Sequence, residues 1–296
     1  KENLYIWEKQ EGMLHENEAA EILRQICQGE HMHPSEVKEG KIELIADCEG
    51  VLKINTEKLN AVNNLGEMMI ASRHGNFPVK TGDKIAGTRI IPLVIEEEKM
   101  QKACEVAGKE PIFRILPYQK KKAGIVTTGS EVYYHRIEDK FTPVVIEKLK
   151  ECGVTEVKQI QCNDDHEMIM EAIQTLIEDG SDLIVCTGGM SVDPGGRRPL
   201  ANKNACTEVV TYGAPVLPGA MFMLAYCEKE GRQIPVMGLP GCVMYAKRTI
   251  FDLVLPRIMC DEKLHEKDFR LLGQGGLCLS CPVCTFPNCG FGKGGY

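Results

Sequence analysis

Hydrophobic residues in the first third of the chain recur at two spacings, one typical of helices and one of short strands. The pattern predicts a helix that begins at Asn17 and ends at Gly29, a hairpin of strands 42–46 and 51–54, and further helices over 59–69 and 96–107. Residues 1–121 therefore predict an α+β N-terminal module. Because the chain begins at Lys1 and residues 4–7 resemble the middle of an element, we expect this module to be truncated.

From residue 122 to about residue 260 the pattern changes to alternating strands and helices. Apolar runs predict strands over 123–128, 154–160 and 182–187, and amphipathic stretches predict helices over 139–152 and 164–180. This alternation predicts an α/β domain with a doubly wound parallel sheet and helices on both faces, which makes three α/β/α layers. Ligands of such sheets bind beyond the carboxyl ends of the strands, so we expect a site in the loops 128–132, 161–165 and 187–196.

Glycine, hydroxyl and carboxylate residues are concentrated in these three loops. The last loop contains Thr187-Gly188-Gly189-Met190-Ser191, whose glycines would let backbone N–H groups approach a phosphate. Acidic Glu131 and Asp164 would repel that phosphate unless a cation lies between them, so the pattern favours Mg²⁺. The structural alternatives are an ordinary turn, a solvated Glu131 and a capping box made by Asp164 and Glu167. Neither G-x-G-x-x-G nor G-x-x-x-x-G-K-S/T occurs, which disfavours ordinary dinucleotide and ATPase sites.

Several segments with chemistry-bearing residues follow one another in a fixed order. They are residues 124–132, 136–139, 163–165, 186–192, 217–220 and 238–241. Together they resemble the molybdopterin-binding domain shared by molybdopterin adenylyltransferases and molybdopterin molybdenumtransferases. The resemblance covers about half of the chain. It implies a site that takes molybdopterin or its adenylylated form, uses Mg²⁺, and either attaches AMP or exchanges it for molybdate.

The resemblance also implies roles for individual residues of this chain. It implies catalytic roles for Glu131, Asp164 and Asp193. It implies that the pterin is held by Thr128, Gly129, Ser130, Asp139, Gly188, Gly189, Ser191, Pro218, Gly219, Pro240 and Gly241. Gly195 and Gly196 stand where the molybdenumtransferases carry an aspartate, so Asp193 is at best a displaced substitute. Two functions therefore stay open, a transferase of molybdate and a non-catalytic carrier or sensor of the pterin.

Composition narrows the classes of partner. The formal net charge is −7 and there is no basic stripe, which disfavours nucleic acid. No apolar run reaches the ~20 residues that span a bilayer, so we expect a cytoplasmic protein without a membrane partner. The expected partners are a small-molecule pterin and molybdate, with a molybdenum enzyme and a second copy of the chain as further candidates.

Fourteen cysteines divide into ten scattered ones, expected to be structural free thiols, and four in a short tail. The tail contains Cys278, Cys281, Cys284 and Cys289, a spacing that differs by one residue from the C-x2-C-x2-C-x3-C-P run of ferredoxins. It predicts a metal-binding third segment, residues 261–296, that holds a 4Fe–4S cluster. Zinc and unligated thiols are the alternatives.

Overall fold

The computed structural model describes residues 11–188, 206 and 208–294. The chain forms two compact units that divide between Pro117 and Tyr118. The sequence predicts boundaries at Lys122 and after residue 260, whereas the contacts keep the cysteine-rich tail in the second unit. The division into three domains stays a prediction.

The first unit mixes helices with three antiparallel sheets. Its elements are β1 (Met13–His15), α1 (Glu16–Cys27), β2 (Met32–Pro34), β3 (Ile42–Ala46), β4 (Gly50–Ile54), α2 (Thr56–Asn63), β5 (Met68–Ser72), β6 (Pro78–Val79), β7 (Lys84–Ile90), β8 (Val94–Glu96), α3 (Glu97–Ala107) and β9 (Phe113–Pro117). The strand orders are β1-β8, β2-β3-β7-β5 and β6-β4-β9. Apolar side chains of the helices and of these sheets share one core.

The predicted hairpin of strands 42–46 and 51–54 is wrong. Both strands exist, but β3 pairs with β2 and β7, and β4 pairs with β6 and β9. The predicted first helix begins at Glu16 after the cap residue His15, and its C-cap is Gln28 instead of Gly29. The helix predicted over 59–69 ends at Asn63, because residues 68–72 form β5 on the edge of the four-stranded sheet.

The second unit is built on a single mixed sheet. Its elements are β10 (Lys122–Thr128), α4 (Ser130–Tyr133), α5 (Phe141–Glu151), β11 (Glu156–Cys162), α6 (His166–Glu178), β12 (Leu183–Thr187), β13 (Glu208–Tyr212), β14 (Met223–Lys229), β15 (Arg232–Gly238), a 3-10 helix (Gly241–Met244), α7 (Ile250–Met259) and α8 (Glu266–Arg270). The strand order is β11-β10-β12-β15-β14-β13. The first four strands are parallel, and β14 runs antiparallel to both of its neighbours.

Alternate residues of β10 face different helices. Val126 shares a core with Ile173 of α6, whereas the hydroxyl of its neighbour Thr127 lies 2.8 Å from that of Thr142 in α5. Successive side chains of a strand point to opposite faces, so α5 and α6 cover opposite faces of the sheet. The predicted doubly wound α/β/α architecture is confirmed. None of the helices among the described residues is long and apolar enough to cross a membrane.

A buried ion pair ties α5 to α7. The Nζ atom of Lys148 lies 2.7 Å from Oδ1 of Asp252, and both side chains are buried. The same carboxylate accepts from Arg248 at 2.7 Å and from the backbone N–H of Thr249 at 2.8 Å, which makes it the capping-box residue of α7. Removing one partner of such a pair leaves a buried charge uncompensated, so the pair should fix how the two helices pack.

We predict that Asp252→Ala lowers the free energy of local opening of α5 and α7 by about 3–5 kcal/mol, because Lys148 then stays buried without its carboxylate. The control is Asp179→Ala, which removes an ion pair with Lys158 whose side chains are both about half exposed and should cost about 0–1 kcal/mol. Hydrogen exchange of peptides from α5 and α7 measures the first effect, and exchange of peptides from β11 and α6 measures the second. Equal losses in the two variants would contradict the assignment.

Candidate functional site

The carboxyl ends of four parallel strands meet at one edge of the sheet. In register, Thr128 of β10 is paired with Cys162 of β11, Thr127 with Thr187 of β12, and Cys186 with Gly238 of β15. The antiparallel β14 begins at this edge, since Met223 is paired with Gly238. The loops that follow β10, β11 and β15, the loop that precedes β14, and Gly188 at the end of β12 therefore lie along the same edge. This edge is called the carboxyl edge below.

The ends of β10 and β12 approach each other closely. The hydroxyl of Thr128 donates to the carbonyl of Thr187 at 2.9 Å. The next residue, Gly188, has φ +78°, and a Cβ built there would overlap the Thr128 carbonyl oxygen. Only glycine fits this position without a backbone shift, because the end of β10 fills the space that a side chain would take.

The loops after β10 and β11 are joined by one carboxylate. Oδ2 of Asp164 accepts from the backbone N–H of Ser130 at 3.0 Å and from the Ser130 hydroxyl at 2.9 Å. Ser130 and Glu131 form the first turn of α4, and the Glu131 side chain is exposed. The structure thus brings together Ser130 and Asp164 from separate loops, and Glu131 directly follows Ser130 in the chain.

The capping box predicted for Asp164 and Glu167 is wrong. The N-cap of α6 is Asp165, whose Oδ1 accepts from the N–H of Met168 at 3.0 Å. Asp165 thereby supplies the cap that the spacing had assigned to its neighbour. The Asp164 carboxylate therefore reaches across to the loop after β10 instead of serving its own helix.

The Asp139 carboxylate accepts hydrogen bonds from nearby groups of the protein. Its Oδ1 accepts from the N–H groups of Phe141 and Thr142, each at 3.0 Å, which satisfies the first turn of α5. Its Oδ2 accepts from Nε2 of Gln159 at 3.0 Å, and the same Nε2 lies 2.9 Å from the Thr127 hydroxyl. Asp139 positions the crossover helix through this network. Gln159 was not predicted from the sequence as part of this network. It lies on β11, the strand after α5, where it is in register with Ile125 of β10.

A buried hydroxyl lies at the carboxyl edge without a partner. Oγ1 of Thr187 has no hydrogen-bond partner among the described residues. An unpaired buried polar group costs about 1–3 kcal/mol, so a polar ligand atom at this place would be stabilising. The neighbouring Cys186 offers no nucleophile, because burial raises the pKa of its thiol to about 12.

Two proline–glycine loops complete the carboxyl edge. Pro218 accepts from the N–H of Ile250 at 3.2 Å, and Gly219 has φ +130° with the Ile250 side chain filling the space of a Cβ. Pro240 accepts from the N–H of Val243 at 3.1 Å, which starts the 3-10 helix at Gly241. The sheet register places both loops near this edge, and their contact with the pterin stays a prediction. Gly189, Ser191 and Asp193 lie outside the described residues.

The predicted metal ligands do not form a metal-binding group. In residues 11–188 and 208–294, no three His, Cys, Asp or Glu side chains are arranged to hold an ion. This finding covers Cys278, Cys281, Cys284 and Cys289 as ligands of a single ion, and it does not test a pair such as Glu131 and Asp164. Both metals stay predictions. The expectation of ten free structural thiols is wrong for two of them. Cys206, just before β13, forms a disulfide with Cys227 of β14.

Sequence comparison identifies the domain that contains this edge. Residues 124–259 match the family model described as "Probable molybdopterin binding domain". The resemblance seen in the ordered segments is confirmed, and residues 124–259 are a domain of the molybdopterin-binding family.

Relatives match over a shorter stretch. A CinA-like protein of Mycobacterium tuberculosis (strain H37Ra) is 38% identical over 69 residues, which are 23% of this chain and 16% of that protein. A CinA-like protein of Mycobacterium sp. (strain JLS) is 36% identical over 69 residues. The match thus spans about a sixth of the length of these relatives.

Two solved structures are similar to part of the chain. The tungsten cofactor synthesizing protein MoaB from Pyrococcus furiosus is 22% identical, with 42% of this chain and 84% of that chain covered and a TM-score of 0.35. The molybdopterin biosynthesis enzyme MoaB from Thermus thermophilus is 18% identical, with coverages of 48% and 98% and a TM-score of 0.36.

We predict that Gly188→Ala disrupts the carboxyl edge for two reasons. The added methyl group overlaps the Thr128 carbonyl oxygen, and alanine has to adopt the positive φ of this position. The matched control is Gly180→Ala, whose φ is +87° but whose Cβ would meet nothing within 4 Å. The control should cost about 1–2 kcal/mol. Gly188→Ala should cost about 1–3 kcal/mol more, measured by hydrogen exchange in 123–128 and 183–187. Identical exchange in the two variants would show that the close approach is absent.

Proposed function

We propose that this chain binds molybdopterin or its adenylylated form at the carboxyl edge and transfers molybdate to it. The observation that carries the proposal is the contact between Ser130 and Asp164, which joins the acidic loop after β11 to the hydroxyl-rich loop after β10. This contact lies inside the stretch that matches the molybdopterin-binding family. Sheets of this architecture bind ligands at such an edge, where crossovers leave to opposite faces of neighbouring strands.

The described residues fit the phosphate of the pterin. Gly188 is partly exposed at the end of β12. The Thr187 hydroxyl beside it is buried and unpaired among the described residues. A phosphate oxygen is a strong acceptor for both a backbone N–H and a hydroxyl donor. Gly189 and Ser191 continue this loop, and we include them in the proposed phosphate site on the family resemblance alone.

The acidic residues fit a hard cation. Glu131 is exposed, and the Asp164 carboxylate is held at the mouth of β10 by two hydrogen bonds from Ser130. Carboxylate oxygens are preferred ligands of Mg²⁺, and Glu131 and Asp164 are the residues that would hold it. When bound there, Mg²⁺ neutralises negative charge on a phosphate and keeps the two carboxylates compatible with an anionic substrate.

In the proposed reaction water cleaves the P–O–P bond of the adenylylated pterin, which releases AMP and leaves the pterin phosphate. Molybdate bonds to the two sulfurs of the pterin, whose protons leave with one molybdate oxygen as water. In this scheme the protein binds and orients two anions, and Ser130 fixes the carboxylate of Asp164 in the orientation the site needs. A carrier would share the binding residues but would not release AMP. Molybdate-dependent AMP release therefore separates a transferase from a carrier or sensor of the pterin.

We predict that Glu131→Gln and Asp164→Asn each lower Mg²⁺-dependent AMP release by at least about tenfold, because each removes a charge that acts where charge develops on the transferring phosphate. Retention of pterin after co-expression with the pterin-synthesis steps should fall less than turnover. The measurements are AMP release on addition of molybdate and the pterin content of denatured protein by fluorescence after oxidation.

The matched control for these variants is Asp165→Asn. This change removes a carboxylate one residue from Asp164, and asparagine caps a helix about as well as aspartate, so α6 should stay intact. The control should keep nearly full turnover. The proposed site fails if all three variants behave alike, and the transferase fails while binding survives if pterin is retained but molybdate releases no AMP.

A further inference from the structure

The last described part of the chain is an irregular segment that is anchored at both ends. Residues 271–294, called the C-terminal segment below, contain no helix or strand, and one isolated bridge joins Leu277 to Leu217. In that bridge the N–H of Leu217 donates to Gly276 at 2.8 Å, and the N–H of Cys278 donates to Leu217 at 2.7 Å. Near the other end, the N–H of Gly292 donates to Gly275 at 2.9 Å.

Close packing reinforces these anchors. A Cβ at Gly276 would overlap the carbonyl oxygen of Pro215, and a Cβ at Gly292 would overlap the side chain of Leu253 in α7. Phe291 is buried next to the second anchor. The C-terminal segment is therefore fixed onto the second unit where it begins and ends, and it does not trail from the domain as a frayed terminus would.

Between the anchors the segment has little apolar core of its own. Leu279 and Val283 are 78% and 76% exposed. Cys281 and Cys284 are also exposed. A short irregular loop loses conformational entropy when it is ordered, and small structures without a core are usually held by a cross-link or a metal. The order of this loop therefore calls for a stabilising group other than buried apolar side chains.

The four cysteines of the segment line one cavity. Cys278, Cys281, Cys284 and Cys289 all face a cavity of about 520 Å³, which Lys247 and Arg248 also line. Lys247 thus brings a positive charge to this cavity, whereas the guanidinium of Arg248 is already paired with Glu151 and Asp252 at 2.7 Å.

These two cations also contact the loop directly. The Nζ atom of Lys247 donates to the carbonyl of Pro282 at 3.1 Å, and the Arg248 guanidinium lies 5.2 Å from the centre of the Phe286 ring. Lys247 therefore holds the loop between the second and third cysteines. A cluster bound by four thiolates is anionic, so the cationic side chain of Lys247 at its rim lowers the cost of placing it there.

We propose that Cys278, Cys281, Cys284 and Cys289 bind one 4Fe–4S cluster in this cavity. The C-x2-C-x2-C spacing is the one that presents three thiolates to corners of a single cubane, and Cys289 supplies the fourth. Binding is a ligand exchange with an assembled 4Fe–4S cluster that a thiolate donor carries. Each cysteine sulfur replaces one terminal thiolate of the donor on iron, and the departing thiolate takes up the proton that the cysteine thiol loses, so no electron is transferred.

The arrangement fits a cluster better than a single zinc ion. Zinc requires all four sulfurs at about 2.3 Å from one ion. Among the described residues no three such side chains converge on one point, although the four cysteines surround one cavity. A cubane binds its thiolates through four separate irons, so it spreads them over a larger volume. This inference does not depend on the proposed pterin chemistry.

The test is anaerobic purification of the full chain, followed by reconstitution with iron and sulfide and by analysis of iron, sulfide and zinc. We expect about four irons and four sulfides per chain, with broad visible absorbance that bleaches on reduction. Cys281→Ser and Cys284→Ser should each lower the iron content to below about one per chain. Cys104→Ser, which changes an exposed cysteine of α3 in the other unit, should leave it unchanged.

Three results would overturn the proposal. They are stoichiometric zinc with no iron after reconstitution, full iron content in the Cys281→Ser and Cys284→Ser double variant, and no bound metal while all four thiols react with an alkylating reagent. Hydrogen exchange of 123–128 and 183–187 should be the same in each serine variant as in the parent chain, which checks that the domain itself is folded. Pterin content is read separately, so failure of the cluster and failure of the pterin site are distinguishable.

Discussion

The position of β10 between β11 and β12 is the constraint on which the second unit depends. Helix α5 connects β10 to β11 on one side, and α6 connects β11 to β12 on the other side of β10. The two crossover helices therefore cover opposite faces of the sheet. Because the strands are parallel, every crossover begins at the same edge. Hydroxyl, carboxylate and glycine residues that are far apart in sequence therefore meet there, which is the physical reason that a site forms at this place in doubly wound sheets.

Close approach at this edge leaves little freedom for change. Gly188 cannot carry a side chain because the Thr128 carbonyl occupies the space, and Asp164 is held by both the backbone and the side chain of Ser130. The hydrogen bonds of Asp139 hold the start of α5, the first crossover helix, and join it to Gln159 of β11. Asp139 thus positions a helix beside the proposed site, and its contact with the pterin stays a prediction.

The alternation of strands and helices in 123–187 was predictable because buried parallel strands are apolar on both faces and their helices are amphipathic. Pairing between strands that are distant in sequence could not be predicted from local pattern. The hairpin predicted for β3 and β4 is wrong for this reason, because each strand pairs with other strands of the unit. The exchange of roles between Asp164 and Asp165 escaped prediction for a related reason. Local spacing gives both residues a capping role, and only the contact with Ser130, distant in sequence, separates them.

The C-terminal segment shows the same limit. Its spacing predicted a common site for four cysteines, and all four line one cavity. Its anchorage on Leu217 and its contact with Lys247 depend on tertiary packing, which spacing does not encode. The Leu217 bridge also places the first cysteine next to the proline–glycine loop of the carboxyl edge.

The most direct test of the central claim is hydrogen exchange of the full chain with and without molybdopterin under anaerobic conditions. A ligand at the carboxyl edge should slow exchange in residues 127–132, 161–166, 186–188 and 238–243. Residues 153–156 and 180–182, at the opposite ends of the same strands, should exchange at an unchanged rate. Protection of those opposite ends or of the first unit, with the carboxyl edge unaffected, would contradict the account.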